Sequence, residues 1–335
     1  MDNFIDYAIK YPDLPFEIVS FFSEIENKDG RLVQKKVYQF CSYYSKKNSL
    51  QEIPHPRIIA KMCEILSDYG QMSVISRGGV DGSDNSYFCI LKDPNLFSVP
   101  TFQFYLNKKF SYIVYGFKYI YEDYKKYILP IEFINDKGDK SIGTGFLYND
   151  GIATARHCIE GAGKIGIKGI SKHNLNDSKY EISNNALLDI LFIRLEQPIQ
   201  ETIIFSQTAE ILDEVMALGY PKIPGYHCFL TAENAKVSSR YTPSVGQIVA
   251  SPEDIWIRER LFLITAKIKG GNSGGPVVAR NGSIVGVSVN LTEGEGDYDN
   301  LGYGTAIPVK FLNELINNQE KTYLDTSKIE FIDFE

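Results

Sequence analysis

The sequence predicts a mainly β chain with an α-rich N-terminal part, because the period of its apolar residues changes along its length. After residue 128, short β-branched or aromatic runs such as Ile203-Ile204-Phe205 and Ile284-Val285-Gly286-Val287-Ser288-Val289 are separated by glycine and asparagine turns. That is the pattern of many short antiparallel strands. Before residue 115, apolar residues recur at helical spacing instead. At 335 residues the chain exceeds one typical domain, so the two patterns are assigned to separate domains.

In the N-terminal part, Ile18, Phe21, Phe22 and Ile25 form the first helical stripe, with Asp13 as its cap and Pro15 in its first turn. Val33, Val37, Phe40, Cys41 and Tyr44 form a second, and Ile59, Met62, Cys63 and Leu66 a third that ends before Gly70. Met72 to Ile75 and Tyr87 to Leu91 then flank a Gly-, Asp- and Ser-rich stretch and predict a hairpin with a long tip. Three helices followed by a hairpin suggest a winged-helix-like module over residues 1–115. The stripe Ile113, Phe117, Ile120, Tyr121 and Tyr124 predicts a helix that joins this module to the rest, with the connection at 116–127. Residues 1–115 hold 13 Lys and Arg against 13 Asp and Glu, whereas duplex binding needs a basic excess that displaces counterions. The expected partner of this module is therefore a protein, with a recruiting or regulatory role.

The whole chain carries a net charge of −7, so the deficit lies in the second part, and nucleic acid or anionic membrane is not an expected partner. Five cysteines, Cys41, Cys63, Cys89, Cys158 and Cys228, are an odd number without paired spacing. The acidic start Met1-Asp2-Asn3-Phe4-Ile5-Asp6 does not read as a secretory signal, and no run approaches ~18 apolar residues. A cytoplasmic protein is expected.

The chemistry is concentrated in three segments. Gly-Gly-Asn-Ser-Gly-Gly-Pro at 270–276 frames Ser273 in glycines that permit φ > 0, so N–H groups of Gly271 and Ser273 can line one hollow where an oxyanion forms. Gly143-Thr144-Gly145-Phe146-Leu147, a turn at Asn149-Asp150-Gly151, and Ile152 to Cys158 predict a hairpin that ends at His157. An imidazole titrates near neutrality, as a base that takes a serine proton and returns it to a leaving amine must. Asp189 is embedded in the apolar run Leu187 to Leu195, predicting a buried strand whose carboxylate needs a partner such as a histidine ring N–H.

The order His157, Asp189, Ser273 is that of the chymotrypsin-like triad. Residues 128–320 resemble a trypsin-like serine peptidase domain of the HtrA-type bacterial branch. The resemblance rests on Gly143-Thr144-Gly145-Phe146, Thr154-Ala155-Arg156-His157-Cys158, Asp189-Ile190-Leu191-Phe192, Gly271-Asn272-Ser273-Gly274-Gly275-Pro276 and Gly302-Tyr303-Gly304-Thr305-Ala306-Ile307-Pro308. It implies two packed six-stranded antiparallel β-barrels, with His157 and Asp189 from the first and Ser273 from the second. A short helix on Val309, Leu312, Leu315 and Ile316 should follow, then an acidic tail at 321–335. No PDZ domain of the kind that often follows such peptidases is expected after residue 320. Asn272 stands where digestive enzymes carry an aspartate paired to a new N-terminus, so that activation route is absent. Cys158 has no cysteine partner within Ser141 to Thr144, and its thiol is expected to be free.

By the same resemblance, the pocket that reads the residue before the scissile bond has Lys267 at its floor with Ile268 following, and Ser288, Val289 and Asn290 as its opposite wall. No acid lies between Thr265 and Asn272, so cleavage after Arg or Lys is not expected; small aliphatic residues are, or Asp and Glu if a lysine turns inward. No phosphate-cradling loop, cofactor site or metal site is predicted: Asp297, Asp299 and Asn300 lack a completing Glu, and neither His157-Cys158 nor His227-Cys228 has zinc-site spacing. The expectation is a cytoplasmic serine endopeptidase acting on a protein substrate and recruited or regulated by its N-terminal module, in the manner of proteases of bacterial defence or signalling systems. The alternative is a catalytically silent binding scaffold on the same fold.

Overall fold

The computed structural model describes residues 4–23, 27–28, 31–32, 34–89, 99–199, 201–203, 205–223, 238–289 and 302–334. The chain falls into two compact units, Met1–Ile120 and Tyr121–Glu335.

In the first unit the apolar stripes become helices α1 (Phe4–Lys10), α2 (Leu14–Ser23), α3 (Val37–Lys47) and α4 (Pro56–Asp68), with two-residue strands β1 (Asn27–Lys28) and β2 (Arg31–Leu32) between α2 and α3. Ile18, Phe22, Phe40, Ile59, Met62 and Leu66 are buried in one shared core, as the helical spacing requires. Pro56 opens α4 at a position whose N–H needs no partner, and the Arg57 N–H donates to His55 Nδ1 at 3.2 Å. Asp13 stands at the head of α2, and its carboxylate accepts from the Tyr44 hydroxyl at 2.6 Å, which ties α2 to α3. The hairpin follows as β3 (Met72–Ser76) and β4 (Ser86–Cys89). The single joining helix expected over 113–124 is instead two, α5 (Pro100–Tyr115) and α6 (Phe117–Tyr124), because Gly116 adopts φ +69° and ends the first. Ile25, Val33, Ile90 and Leu91 lie outside the described residues.

In the second unit the strands are β5 (Ile128–Ile134), β6 (Lys140–Tyr148), β7 (Gly151–Thr154), β8 (Lys164–Ile167), β9 (Lys179–Ile182) and β10 (Leu191–Arg194), with helix α7 (Lys172–Asp177) before β9. Next come β11 (Glu214–Gly219), the short pair β12 (Lys222–Ile223) and β13 (Ser238–Ser239), β14 (Thr242–Ala250), β15 (Phe262–Ile264), β16 (Pro276–Ala279), β17 (Ile284–Val289) and β18 (Gly304–Pro308). Helix α8 (Val309–Asn317) and strands β19 (Thr322–Tyr323) and β20 (Glu330–Phe331) end the chain.

Six strands close into a barrel in the order β11-β14-β15-β18-β17-β16, around Val215, Ala217, Ile248, Ile264, Val277 and Ala306. Strands β5 to β10 join β19 and β20 in an open eight-stranded sheet rather than a second closed barrel, in the order β19-β9-β10-β7-β6-β5-β8-β20. Its outer strands find partners in the C-terminal segment: β19 runs antiparallel to β9, and β20 parallel to β8. Both edges are thus paired without β8 meeting β9. The acidic tail is woven into this sheet, with Glu330 on Lys164 at 2.7 Å and Asp333 accepting from the Lys172 N–H at 3.0 Å. The turn at Asn149-Asp150 joins β6 to β7 in register Tyr148↔Gly151, and Asn149 takes φ +50°, as a two-residue hairpin turn demands.

Candidate active site

His157 lies in a single 3-10 turn, Arg156–Cys158, directly after β7. Strand β7 pairs with β10 in the register Thr154↔Leu191, which sets the residues following one strand beside those preceding the other. Asp189 precedes β10 by two residues. It is half-buried in the approach to the strand rather than enclosed within it, the one respect in which its setting differs from the sequence expectation. Its carboxylate nevertheless meets the histidine twice: Oδ1 accepts from the His157 backbone N–H at 2.9 Å and Oδ2 lies 2.6 Å from Nδ1. A carboxylate only accepts, so Nδ1 carries a proton, and in the neutral ring Nε2 is the basic nitrogen. Burial disfavours the charged ring, but the Asp189 hydrogen bond and then Cys158 outweigh it, so the imidazole pKa is pushed up to about 10.

Ser273 sits in the loop between β15 and β16, buried, with Gly271 at φ +102° and Gly274 at φ +85°. A Cβ on Gly271 would lie 2.3 Å from the Tyr220 carbonyl oxygen, and one on Gly274 would lie 2.2 Å from that of Thr144, so space as well as φ requires glycine here. Each carbonyl from 271 to 273 is held by a donor. Gly271 O accepts from the Thr144 hydroxyl at 2.6 Å, Asn272 O from the Ser288 hydroxyl at 2.6 Å, and Ser273 O from the Thr144 N–H at 2.9 Å. The Asn272 N–H is spent on Lys269 O at 2.9 Å, and the Gly274 N–H on Ser288 O at 2.7 Å. The N–H groups of Gly271 and Ser273 donate to no acceptor among the described residues. These are the two donors that the sequence singles out for an oxyanion. Cys158, next to His157, donates through Sγ to Ser273 O at 3.6 Å, which brings the histidine turn and the serine loop together. No hydrogen bond joins Ser273 Oγ to His157 among the described residues.

Cys158 is free and buried, and it faces Gly143, where an added Cβ would lie 2.6 Å from its sulfur. Asn272 is buried, and its Oδ1 has no hydrogen-bond partner among the described residues.

The pocket residues divide. Lys267 is exposed, and its N–H donates to Ser244 Oγ at 2.7 Å. Ile268 is half-buried against the barrel core and fills the space beside Gly304, where a Cβ would come within 2.7 Å of it. Ser288 is fully buried rather than part of an open wall: its hydroxyl donates to Asn272 O at 2.6 Å and Gly275 O at 3.0 Å, beneath the serine loop. Alternation along β17 turns this residue inward. Asn290, His227, Cys228, Asp297, Asp299 and Asn300 lie outside the described residues. Sequence reasoning noted Thr144 only as part of a glycine-flanked motif and missed its bonds to the serine loop. A threonine between two glycines on a strand was the available signal.

A closed six-stranded barrel, an open companion sheet, and His, Asp and Ser in that chain order define the trypsin-like class. Residues 143–287 match the trypsin-like peptidase domain family. The chain carries such a domain, of the kind found in HtrA- and DegP-like proteins. It is 27% identical over 177 residues to the magnetosome formation protease MamE of Magnetospirillum gryphiswaldense, covering 50% of this chain and 21% of that protein. It is 30% identical over 186 residues to the probable periplasmic serine endoprotease DegP-like of Chlamydia pneumoniae, covering 52% of this chain and 33% of that protein. Among solved structures, the Rv3671c protease from M. tuberculosis in its active form is similar with TM-score 0.45 and 17% identity, over 61% of this chain and 85% of that one. The chain thus spans between a fifth and a third of the length of these curated relatives.

Proposed function

We propose that this protein is a serine endopeptidase in which Ser273 is the nucleophile, His157 the general base and acid, and Asp189 the group that orients the ring. The observation that carries this reading is the two-point grip of Asp189 on His157 beside a serine loop whose Gly271 and Ser273 N–H groups are uncommitted. Ser273 Oγ attacks the scissile carbonyl carbon while His157 Nε2 takes its proton. The carbonyl oxygen becomes an oxyanion held by the Gly271 and Ser273 N–H groups. Collapse breaks the C–N bond, and the proton passes from His157 to the departing amine. Water, deprotonated by His157, then attacks the acyl-Ser273 ester, and Ser273 leaves with the returned proton.

For specificity, the exposure of Lys267 and Lys269 removes support for an acidic preference, and the half-buried Ile268 against Gly304 shortens the pocket. Cleavage after small aliphatic residues is the expected result of profiling with a peptide library, and Ile268→Ala should widen the preference toward larger apolar residues. Dominant cleavage after Arg or Lys would contradict this pocket assignment.

Selective cleavage of the natural target depends on a protein partner engaged through residues 1–115. Support comes from the first unit, whose own core and balanced charge fit a protein-binding module better than a nucleic-acid reader. A chain cut to residues 117–335 should keep Ser273 reactivity toward a fluorophosphonate yet lose selective cleavage of the natural target. Equal cleavage of that target by the truncated and full chains would refute recruitment through this module.

A further inference from the structure

Thr144 makes contacts that no part of the triad chemistry assigns. It is fully buried on β6 of the open sheet, yet it bonds on both sides of Asn272 in the serine loop. Its hydroxyl accepts from the Tyr220 N–H at 3.0 Å and donates to Gly271 O at 2.6 Å, while its own N–H donates to Ser273 O at 2.9 Å. The Thr154 hydroxyl, donating to Thr144 O at 2.8 Å, fixes the strand from behind. The peptide between Gly271 and Asn272 is therefore pinned at both ends, by Thr144 on its carbonyl and by Lys269 O on its N–H at 2.9 Å. Gly271 has no side chain to limit its rotation and occupies φ +102°, so little else sets the direction of its own N–H.

We infer that Thr144 is the positioning residue that holds the oxyanion hole open, by fixing Gly271 O and Ser273 O and so the torsions at Gly271 and Ser273 that aim their N–H groups. The inference rests on the peptidase reading above. Without the hydroxyl, Gly271 O has no donor and the Gly271–Asn272 peptide is held only at its N–H by Lys269 O, so the torsions at Gly271 relax and turn the preceding Gly270–Gly271 peptide, which carries the Gly271 N–H, off the oxyanion. A hole that loses one donor costs about 100-fold or more in kcat.

The test compares Thr144→Val, which keeps shape and removes the hydroxyl, with Thr144→Ser, which keeps the hydroxyl. On a peptide substrate, kcat should fall about 100-fold in Thr144→Val with KM nearly unchanged, and Thr144→Ser should stay within a few-fold of the parent. Affinity for a peptide aldehyde, which forms a tetrahedral adduct on Ser273, should fall in parallel. A Thr144→Val kcat within threefold of the parent, or a Thr144→Ser variant as slow as the valine, would overturn the inference. If the valine variant does not fold, Thr144→Ala carries the same expectation and the same contradiction. A crystal structure of the folded variant reads the inference without activity: a Gly271 N–H turned out of line with the Ser273 N–H supports it, and one left in place overturns it. Failure of the parent protein to cleave or be labelled at Ser273 would instead count against the peptidase reading.

Discussion

Replacing Asp189 by asparagine should lower kcat by about 10⁴ while leaving the fold intact. The loss arises because an amide NH₂ facing Nδ1 favours the wrong imidazole tautomer, with the proton on the nitrogen that must act as base. The same substitution should move the pH profile. The working base is the neutral ring, and its pKa is pushed up to about 10, chiefly by Asp189 against the effect of burial. The parent rate should therefore climb with pH through the neutral and alkaline range. In Asp189→Asn the charge partner is gone and burial dominates, so the ascending limb should shift down toward the ordinary histidine range near 6.5. Linkage has the matching sign: the protonated His157–Asp189 pair stabilises the fold below pH 6.5, and that contribution is lost as pH rises through about 10. An unchanged rate and an unmoved limb would transfer the orienting role to another acid.

Gly274→Ala should be the most damaging single methyl in the serine loop. The new Cβ would meet Thr144 O at 2.2 Å, Thr154 Oγ1 at 2.3 Å and Ala155 N at 2.7 Å, all parts of a packed core, at a φ of +85° that an alanine resists. Backbone strain and a clash that cannot relax predict a loss of about 4 kcal/mol or more in denaturant unfolding, together with loss of activity. Gly138→Ala gives the control: φ is similar at +86° but nothing lies within 4 Å, so its cost should stay near the ~1 kcal/mol of strain alone. Equal losses at the two positions would show that crowding beneath Ser273 is not what the glycine serves.

These features were unequally legible. The residues that carry chemistry were visible because their types are costly to place without a purpose: a carboxylate in an apolar run, a histidine ending a hairpin, a serine among glycines. Helical stripes in the N-terminal part were equally readable, since Ile18, Phe40 and Met62 each mark a core face. The break at Gly116 was not, because one glycine in a helical pattern does not reveal whether it bends or is tolerated. Nor could the sequence show that β19 and β20 would pair with the outer strands of the open sheet, since two-residue strands have too few residues for a period. Ser288 was misread as pocket wall because side-chain direction depends on register, which period-2 alternation reverses with a shift of one residue.

The most direct test of the central claim is labelling of the full chain with a fluorophosphonate probe, followed by peptide mapping. The account predicts a single adduct on Ser273 that disappears in Ser273→Ala and is lost or strongly slowed in His157→Ala. Labelling that persists in Ser273→Ala, or that maps to another residue, would contradict it.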